Sequence, residues 1–224
     1  MDTVACCWRD GEVLHESQLG LSPQGRPLHA TRLLEEVERA AAAAGGWERV
    51  ELIAVGLGPG TFTGLRVGIS TARGLALSLG LPARGVCTLD ALAAGIGEAG
   101  AEGRRLAVLD GWRGEVFAAL YDAAGERIWE PAVYRPEDLA ERVAALDAAP
   151  AVAGSGAVRF RQELARDGVP IADDSDPVHR VAGRHVCALA AAAADPEADG
   201  LAPIYLRPPD AERWRERDAS QRAK

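Results

Sequence analysis

The chain carries one structural plan twice, and no other feature restricts its fold as much. TVACCWRDGEVLHES, residues 3–17, and VFAALYDAAGERIWE, residues 116–130, each read as an apolar β-prone run, a polar turn and a return strand. After the first hairpin, Leu33, Val37, Ala40, Ala41 and Ala44 recur at helical spacing until Gly45-Gly46 stops them. A strand at 50–55, a helix at 63–79 closed by Gly80, a strand at 83–86 and a helix capped by Thr88, with Asp90 in its first turn, follow. The second hairpin is followed by a helix at 136–146, a strand at 151–153, a helix at 158–167, a short extended segment at 169–172 and a helix at 179–194.

Both halves therefore read β-hairpin, α, β, α, β, α. The second has one strand more, RLAVLD at 105–110, ahead of its hairpin. The first has no counterpart, so the comparison predicts a missing first N-terminal strand and a gap beside residues 3–8. Gly95, Gly97, Gly100 and Gly103 mark the boundary, giving an N-terminal domain at 1–100, a C-terminal domain at 101–207 and a tail at 208–224.

With 48% hydrophobic and 26% charged residues the sequence is that of a globular protein. A formal net charge of −8 argues against a broad nucleic-acid surface, because non-specific binding of that kind is cationic neutralisation. Cys6, Cys7, Cys87 and Cys187 form no C-x-x-C pair and read as small apolar residues in a reducing compartment. No run of about 18 apolar residues and no basic leader is present in the sequence, which predicts a cytoplasmic protein without membrane contact.

GLGPGTFTGLRVGISTARGLALSLG, residues 56–80, invites a phosphate-loop reading. A Walker loop needs Lys after its last glycine, and Leu65 follows Gly64. A dinucleotide fingerprint needs a third glycine or alanine where Thr63 stands. Turn chemistry fits better: Pro59 fixes φ, Gly58 and Gly60 permit positive φ, and Thr61 or Thr63 can cap the helix that follows. Along that helix Gly64, Gly68, Ala72 and Ala76 make a stripe with little side-chain bulk. Each interior glycine costs roughly 0.8–1.0 kcal/mol relative to alanine, so the stripe needs close packing, on its own sheet or on another subunit.

No catalytic, cofactor or metal site is legible. His179 and His185 are not spaced for one helical face, and His15 and His29 stand apart. Residues 152–157, VAGSGA, read as a strand with a tight turn, and Ser155 lies in no nucleophile-elbow pattern. The tail at 212–224, with alternating Arg, Glu and Asp, reads as a solvated helix or a disordered end.

Residues 56–95, with the hairpin segment RLAVLDGWRGEVFAALYD and the segment LAPIYLRPPDAE at 201–212, resemble the TsaB (YeaZ) family, the bacterial partner of TsaD in making N6-threonylcarbamoyladenosine on tRNA. The resemblance implies an α/β chain with the ASKHA (actin/Hsp70-like) fold, two ribonuclease-H-like domains. Family members open with a strand ending in an Asp-Thr-Ala-Thr-like turn, and only Met1-Asp2-Thr3 stands in that place here.

It further implies a non-catalytic subunit that binds and activates TsaD, with the TsaE ATPase in a ternary complex, a possible homodimer when alone, and tRNA contact only through the complex. No cofactor is expected on this chain; ATP or ADP and metal belong to the partner subunits. Helix residues Leu33, Val37, Ala41, Gly64, Arg66, Gly68, Ala72, Arg73 and Ala76 are the expected partner interface. The competing reading, a stand-alone ASKHA phosphotransferase or peptidase, lacks a phosphate lysine, a metal motif and a nucleophile in this sequence.

Overall fold

The computed structural model describes residues 2–20, 22, 29–165, 168–193 and 201–207. The most regular sheet follows from a period-two split of apolar residues. β5 (Arg105–Asp110) and β6 (Val116–Tyr121) pair antiparallel, from Arg105 opposite Tyr121 to Asp110 opposite Val116. Val116, Ala118 and Leu120 enter one core with Leu106 and Val108, while Phe117, Ala119 and Tyr121 enter a second with Ala107. A strand buried on both faces needs helices on both. One layer is α4 (Pro136–Ala144) with the short helices α5 (Ser155–Arg159) and α6 (Arg161–Leu164); the other is α3 (Thr88–Glu98). β7 (Arg127–Tyr134) and β8 (Ala151–Ala153) complete the order β7-β6-β5-β8, with β8 parallel to β5.

The first half forms two smaller sheets. β1 (Thr3–Arg9) and β2 (Glu12–Leu19) make the expected hairpin, with Asp10 and Gly11 at φ +49° and +90° as a tight two-residue turn requires. β3 (Ile53–Gly58) and β4 (Ala83–Cys87) pair parallel. Over them lie α1 (His29–Ala43) and α2 (Phe62–Leu79), and beneath them α7 (Gly183–Ala192). Among the described residues β1 pairs with β2 alone and β3 with β4 alone.

Several expected boundaries move. β3 begins at Ile53 rather than residue 50, because a 3-10 turn at Trp47–Arg49 uses up the chain after α1. Cys87, not Thr88, stands before the first turn of α3, and no side chain caps it. The helix expected at 158–167 is two short helices broken at Phe160, whose φ of −112° and ψ of 35° are not helical. The segment at 169–172 makes a single parallel bridge, Ile171 to Val152. The last helix starts at Gly183, after a 3-10 turn at Pro177–His179 that Asp176 caps. The tail at 212–224 lies outside the described residues.

Two polar clusters tie the halves together. Arg127 on β7 grips Asp90 of α3 through Nε (2.9 Å) and Nη2 (2.6 Å), and the buried Tyr121 hydroxyl donates to the same carboxylate at 2.7 Å. On the other side of α3, Arg184 of α7 reaches Glu98 (2.6 Å) and Glu16 of β2 (2.9 Å), and His185 lies 3.3 Å from Glu98. Burial, and then the Arg184 charge, hold His185 below the ordinary histidine value, while the hydrogen bond from Arg184 holds Glu98 below the ordinary carboxylate value.

Replacing Tyr121 by Phe is expected to cost about 1–2 kcal/mol, one hydrogen bond to a charged acceptor. Asp90→Ala should cost more, about 2–3 kcal/mol, since it also strands the Tyr121 hydroxyl and leaves Arg127 with the exposed Glu130 as its remaining carboxylate. Urea titrations of the two variants test that order. A histidine with a lowered folded pKa contributes stability that is complete above its unfolded value near 6.5 and is lost as pH falls from there. The midpoint should therefore drop below pH 6.5, and drop again as Glu98 protonates below the carboxylate value near 4.5. His185→Gln should remove the first step alone in a pH series of thermal melts.

Candidate functional site

A cleft of about 1200 Å³ lies between β1 and β3. Leu33, Val37 and Ala41 of α1 and Gly64, Gly68 and Ala72 of α2 line its upper side, and Val186 and Cys187 of α7 its floor. The sheet edges on either side are β1 and residues 53–56 of β3. Six of the nine expected interface residues thus face this cleft. A Cβ built on Gly68 would meet only Val55, at 3.9 Å, so between the two readings of the small-residue stripe this residue turns to its own sheet. Arg66 and Arg73 point the opposite way and are exposed; Ala76 is half-buried.

The glycine loop at the head of α2 is a structural turn, as its residue types suggest. Gly58 takes φ +111° and Thr61 caps the helix, its hydroxyl accepting from the Gly64 amide at 3.3 Å. Gly60 is not in the positive-φ region, and Thr63 is an exposed residue of the first turn. Pro59 is fully buried. Gly58 meets a segment that sequence reasoning did not place: Ile204 donates its amide to the Leu57 carbonyl at 2.8 Å, and a Cβ on Gly58 would stand 3.0 Å from the Ile204 carbonyl. Residues 201–207 therefore run back over β3, with Leu201 in the same core as Leu57, Ile69 and Ala72.

The outer face of α2 was also missed in part. The Phe62 ring stacks on Tyr205 with centroids 5.6 Å apart, and the Arg66 guanidinium lies 3.8 Å from the Phe62 centroid while its Nε donates to the Tyr205 hydroxyl at 3.3 Å. A cation in the first turn of a helix is disfavoured by the macrodipole unless it has a partner, and aromatic rings serve Arg66 here. Leu77 is 88% exposed and Leu34 of α1 53% exposed. Leu77 follows Arg66 and Arg73 at helical spacing, so the sequence does carry a signal for this outer face.

Polar groups at the mouth of the cleft are engaged in holding the backbone. His179 accepts from the Gly154 amide through Nδ1 at 3.1 Å, and its Nε2 donates to the Ala172 carbonyl at 3.1 Å, which fixes the neutral Nε2–H tautomer. The Ser155 hydroxyl accepts from the Asp110 amide at 3.1 Å, and Asp110 pairs with Arg159 at 2.7 Å. A Cβ on Gly154, at φ +119°, would run into the Val108 carbonyl, so the Gly-Ser-Gly turn is dictated by packing. The cysteines are free thiols. A hydrogen bond to Cys187, with burial added, pushes the Cys6 thiol up, and burial pushes Cys7 up. The same hydrogen bond lowers Cys187.

This fold and sequence have known counterparts. Residues 12–173 match the family model described as TsaD: tRNA N6-adenosine threonylcarbamoyltransferase. The Escherichia coli tRNA threonylcarbamoyladenosine biosynthesis protein TsaB is 32% identical over 92% of this chain and 91% of its own length. The chain belongs to the TsaB (YeaZ) family. An uncharacterised protein of Mycobacterium tuberculosis is 37% identical over 82% of this chain and 77% of its own. The structure of YeaZ from Pseudomonas aeruginosa superposes with a TM-score of 0.68 at 32% identity, covering 90% of this chain and 92% of that one. Among the described residues no helix is long and apolar enough to cross a membrane.

Gly68→Leu is expected to fold. The new side chain enters the cleft, and helix propensity favours leucine over glycine by about 0.8 kcal/mol. Circular dichroism should be unchanged and the melting temperature equal to or above that of the parent; an unfolded variant would mean that α2 lies closer to its sheet than this structure has it.

Proposed function

We propose that this chain is a non-catalytic subunit that binds and activates TsaD for formation of N6-threonylcarbamoyladenosine in tRNAs that read codons starting with A. The observation that carries the reading is the outer face of α2. An almost fully exposed Leu77, with Phe62, Arg66 and Arg73, places apolar side chains and arginines together on one side of a helix. Aromatic, aliphatic and arginine side chains are what buried protein interfaces favour. The engagement of His179 and Ser155 with backbone groups supports the non-catalytic half of the reading, since neither offers a free base or nucleophile.

The proposed interface is centred on Arg66 and Arg73 rather than on Gly64, Gly68 and Ala72, which face the cleft. The order β7-β6-β5-β8, followed by the parallel bridge at Ile171, is matched in the first half by β2-β1 and β3-β4. That correspondence supports the ASKHA reading of two ribonuclease-H-like domains, one up to about residue 100 and one to residue 207. In this reading TsaE joins a ternary complex, nucleotide and metal sit on the partners, and the protein works in the cytoplasm.

Co-expression with TsaD tests the proposal. The two chains should co-purify, Leu77→Glu should weaken the association at least ~10-fold, as loss of a buried apolar contact to a desolvated charge implies, and its circular dichroism should match the parent. The chain alone, with threonine, bicarbonate, ATP and tRNA, should make no modified adenosine. Product from the chain alone, or tight magnesium-dependent ATP binding to it by calorimetry, would support the stand-alone enzyme instead.

A further inference from the structure

Two of the four cysteines meet where α7 rests on β1. Cys6 and Cys7 are neighbours on the strand, so their side chains point to opposite faces of the hairpin. α7 lies against the Cys6 face: a Cβ built on Gly183 would stand 2.6 Å from the Cys6 Cβ, closer than two side chains pack. Cys187 follows Gly183 by four residues and therefore lies on the same side of α7, one turn further on. The Cys187 sulfur is 3.9 Å from the Cys6 carbonyl oxygen, and the Cys6 thiol donates in turn to the Cys187 sulfur. The two residues are 181 positions apart in the sequence, so this contact joins the start of the chain to its last described helix. Cys87 stands apart, buried in the core of Leu89 and Leu92.

We propose that Cys6 and Cys187 form a reversible disulfide that fastens α7 to the β1–β2 hairpin, with a low-molecular-weight disulfide as oxidant. The Cys187 thiolate attacks one sulfur of the small disulfide, giving a mixed disulfide and releasing one small thiolate. The Cys6 thiolate then attacks the Cys187 sulfur, and the second small thiolate leaves. Two protein thiols are oxidised, one small disulfide is reduced, and the two protein protons end on the two leaving thiolates. The hydrogen bond assigns the roles: it keeps the proton on Cys6 and stabilises the anion on Cys187, so Cys187 attacks and Cys6 resolves. In the reducing compartment proposed for this chain, such a bridge is a response to oxidation and not a permanent staple. It would add a covalent tie to a helix that already holds Glu16 of β2 and Glu98 of α3 through Arg184.

The test uses the full chain, reduced and then exposed to oxidised glutathione. Thiols counted in denaturant should fall from the four free cysteines by two, with the mass lower by two hydrogens and no glutathione retained. A non-reducing peptide map should join the peptide carrying Cys6 to the one carrying Cys187. The melting temperature should rise by about 4–15 °C and return to its starting value with dithiothreitol, because the bridge closes a long loop of the unfolded chain. Cys7→Ser should behave as the parent does. Cys6→Ser should stop at the mixed disulfide, with one glutathione held on Cys187, and Cys187→Ser should hold none on Cys6. Glutathione retained on the parent, a bridge that persists in Cys6→Ser, a link found only between two chains on a non-reducing gel, or an unchanged melting temperature would overturn the proposal. The map and melt of the parent and of Cys7→Ser decide it even where Cys6→Ser folds poorly.

Discussion

The burial of α3 on every side is the constraint from which the two halves take their positions. Leu89 and Leu92 have no exposed surface, Ala91 none, and Ala93 and Ile96 almost none. Leu89, Leu92, Ala93 and Ile96 pack on the β5–β6 face, while Ala91 belongs to a separate core with Val86 and Ala190 of α7. A helix of eleven residues can serve two cores only if its side chains are small where the second layer approaches. Gly95 meets the His185 ring and Gly97 the Arg105 guanidinium at distances that a Cβ would not tolerate without displacement. The same helix carries Asp90 at one end for Arg127 and Tyr121, and Glu98 at the other for Arg184. Hydrophobic burial sets its depth and the two carboxylates set its rotation.

That arrangement leaves the first half built from parts that do not touch through strand pairing. The hairpin β1–β2 and the pair β3–β4 are held in place by what lies above and below them: α1 over β1, α2 over β3, α7 under both. Residues 201–207 add a second tie, with the Ile204 amide donating to the Leu57 carbonyl of β3 and Arg207 reaching Glu115 and the Gly111 carbonyl in the other half. Backbone groups on unpaired strand edges open at low free-energy cost, whereas those of the four-stranded sheet share the stability of the main core.

What the sequence made legible, and what it did not, follows physical lines. β5 was readable to the residue, because an apolar run flanked by Arg105 and by Asp110-Gly111 has one way to be buried. The Asp10-Gly11 turn was readable, and the cap was narrowed to Thr61 or Thr63, because each residue type has a specific backbone task. The break at Phe160 was not: nothing in VRFRQELA punctuates a helix, and the interruption comes from where Ala157, Phe160 and Leu164 must reach the core around Val152. The C-terminal tie was hidden because its strongest contact, Ile204 to Leu57, is a backbone bond that any residue but proline could make. At the candidate site, residue types pointed to α1 and α2, but periodicity alone could not say which face of α2 meets the sheet.

The glycines of α2 show how that ambiguity is resolved energetically. Three glycines inside one helix forfeit roughly 2–3 kcal/mol of helix propensity relative to alanine. Gly64 lines the cleft, and its amide is the one that Thr61 caps. Gly68 stands beside Val55, where a larger residue would fill the cleft. Gly74 is on the exposed face with nothing within 4 Å of where a Cβ would lie, and nothing inside the chain explains it. It sits between Arg73 and Leu77 on the outward side. Two of the glycines thus answer to the cleft and one to the solvent face, so α2 is a helix whose two sides are both kept short of bulk, the inner one for a strand edge and the outer one beside an exposed leucine.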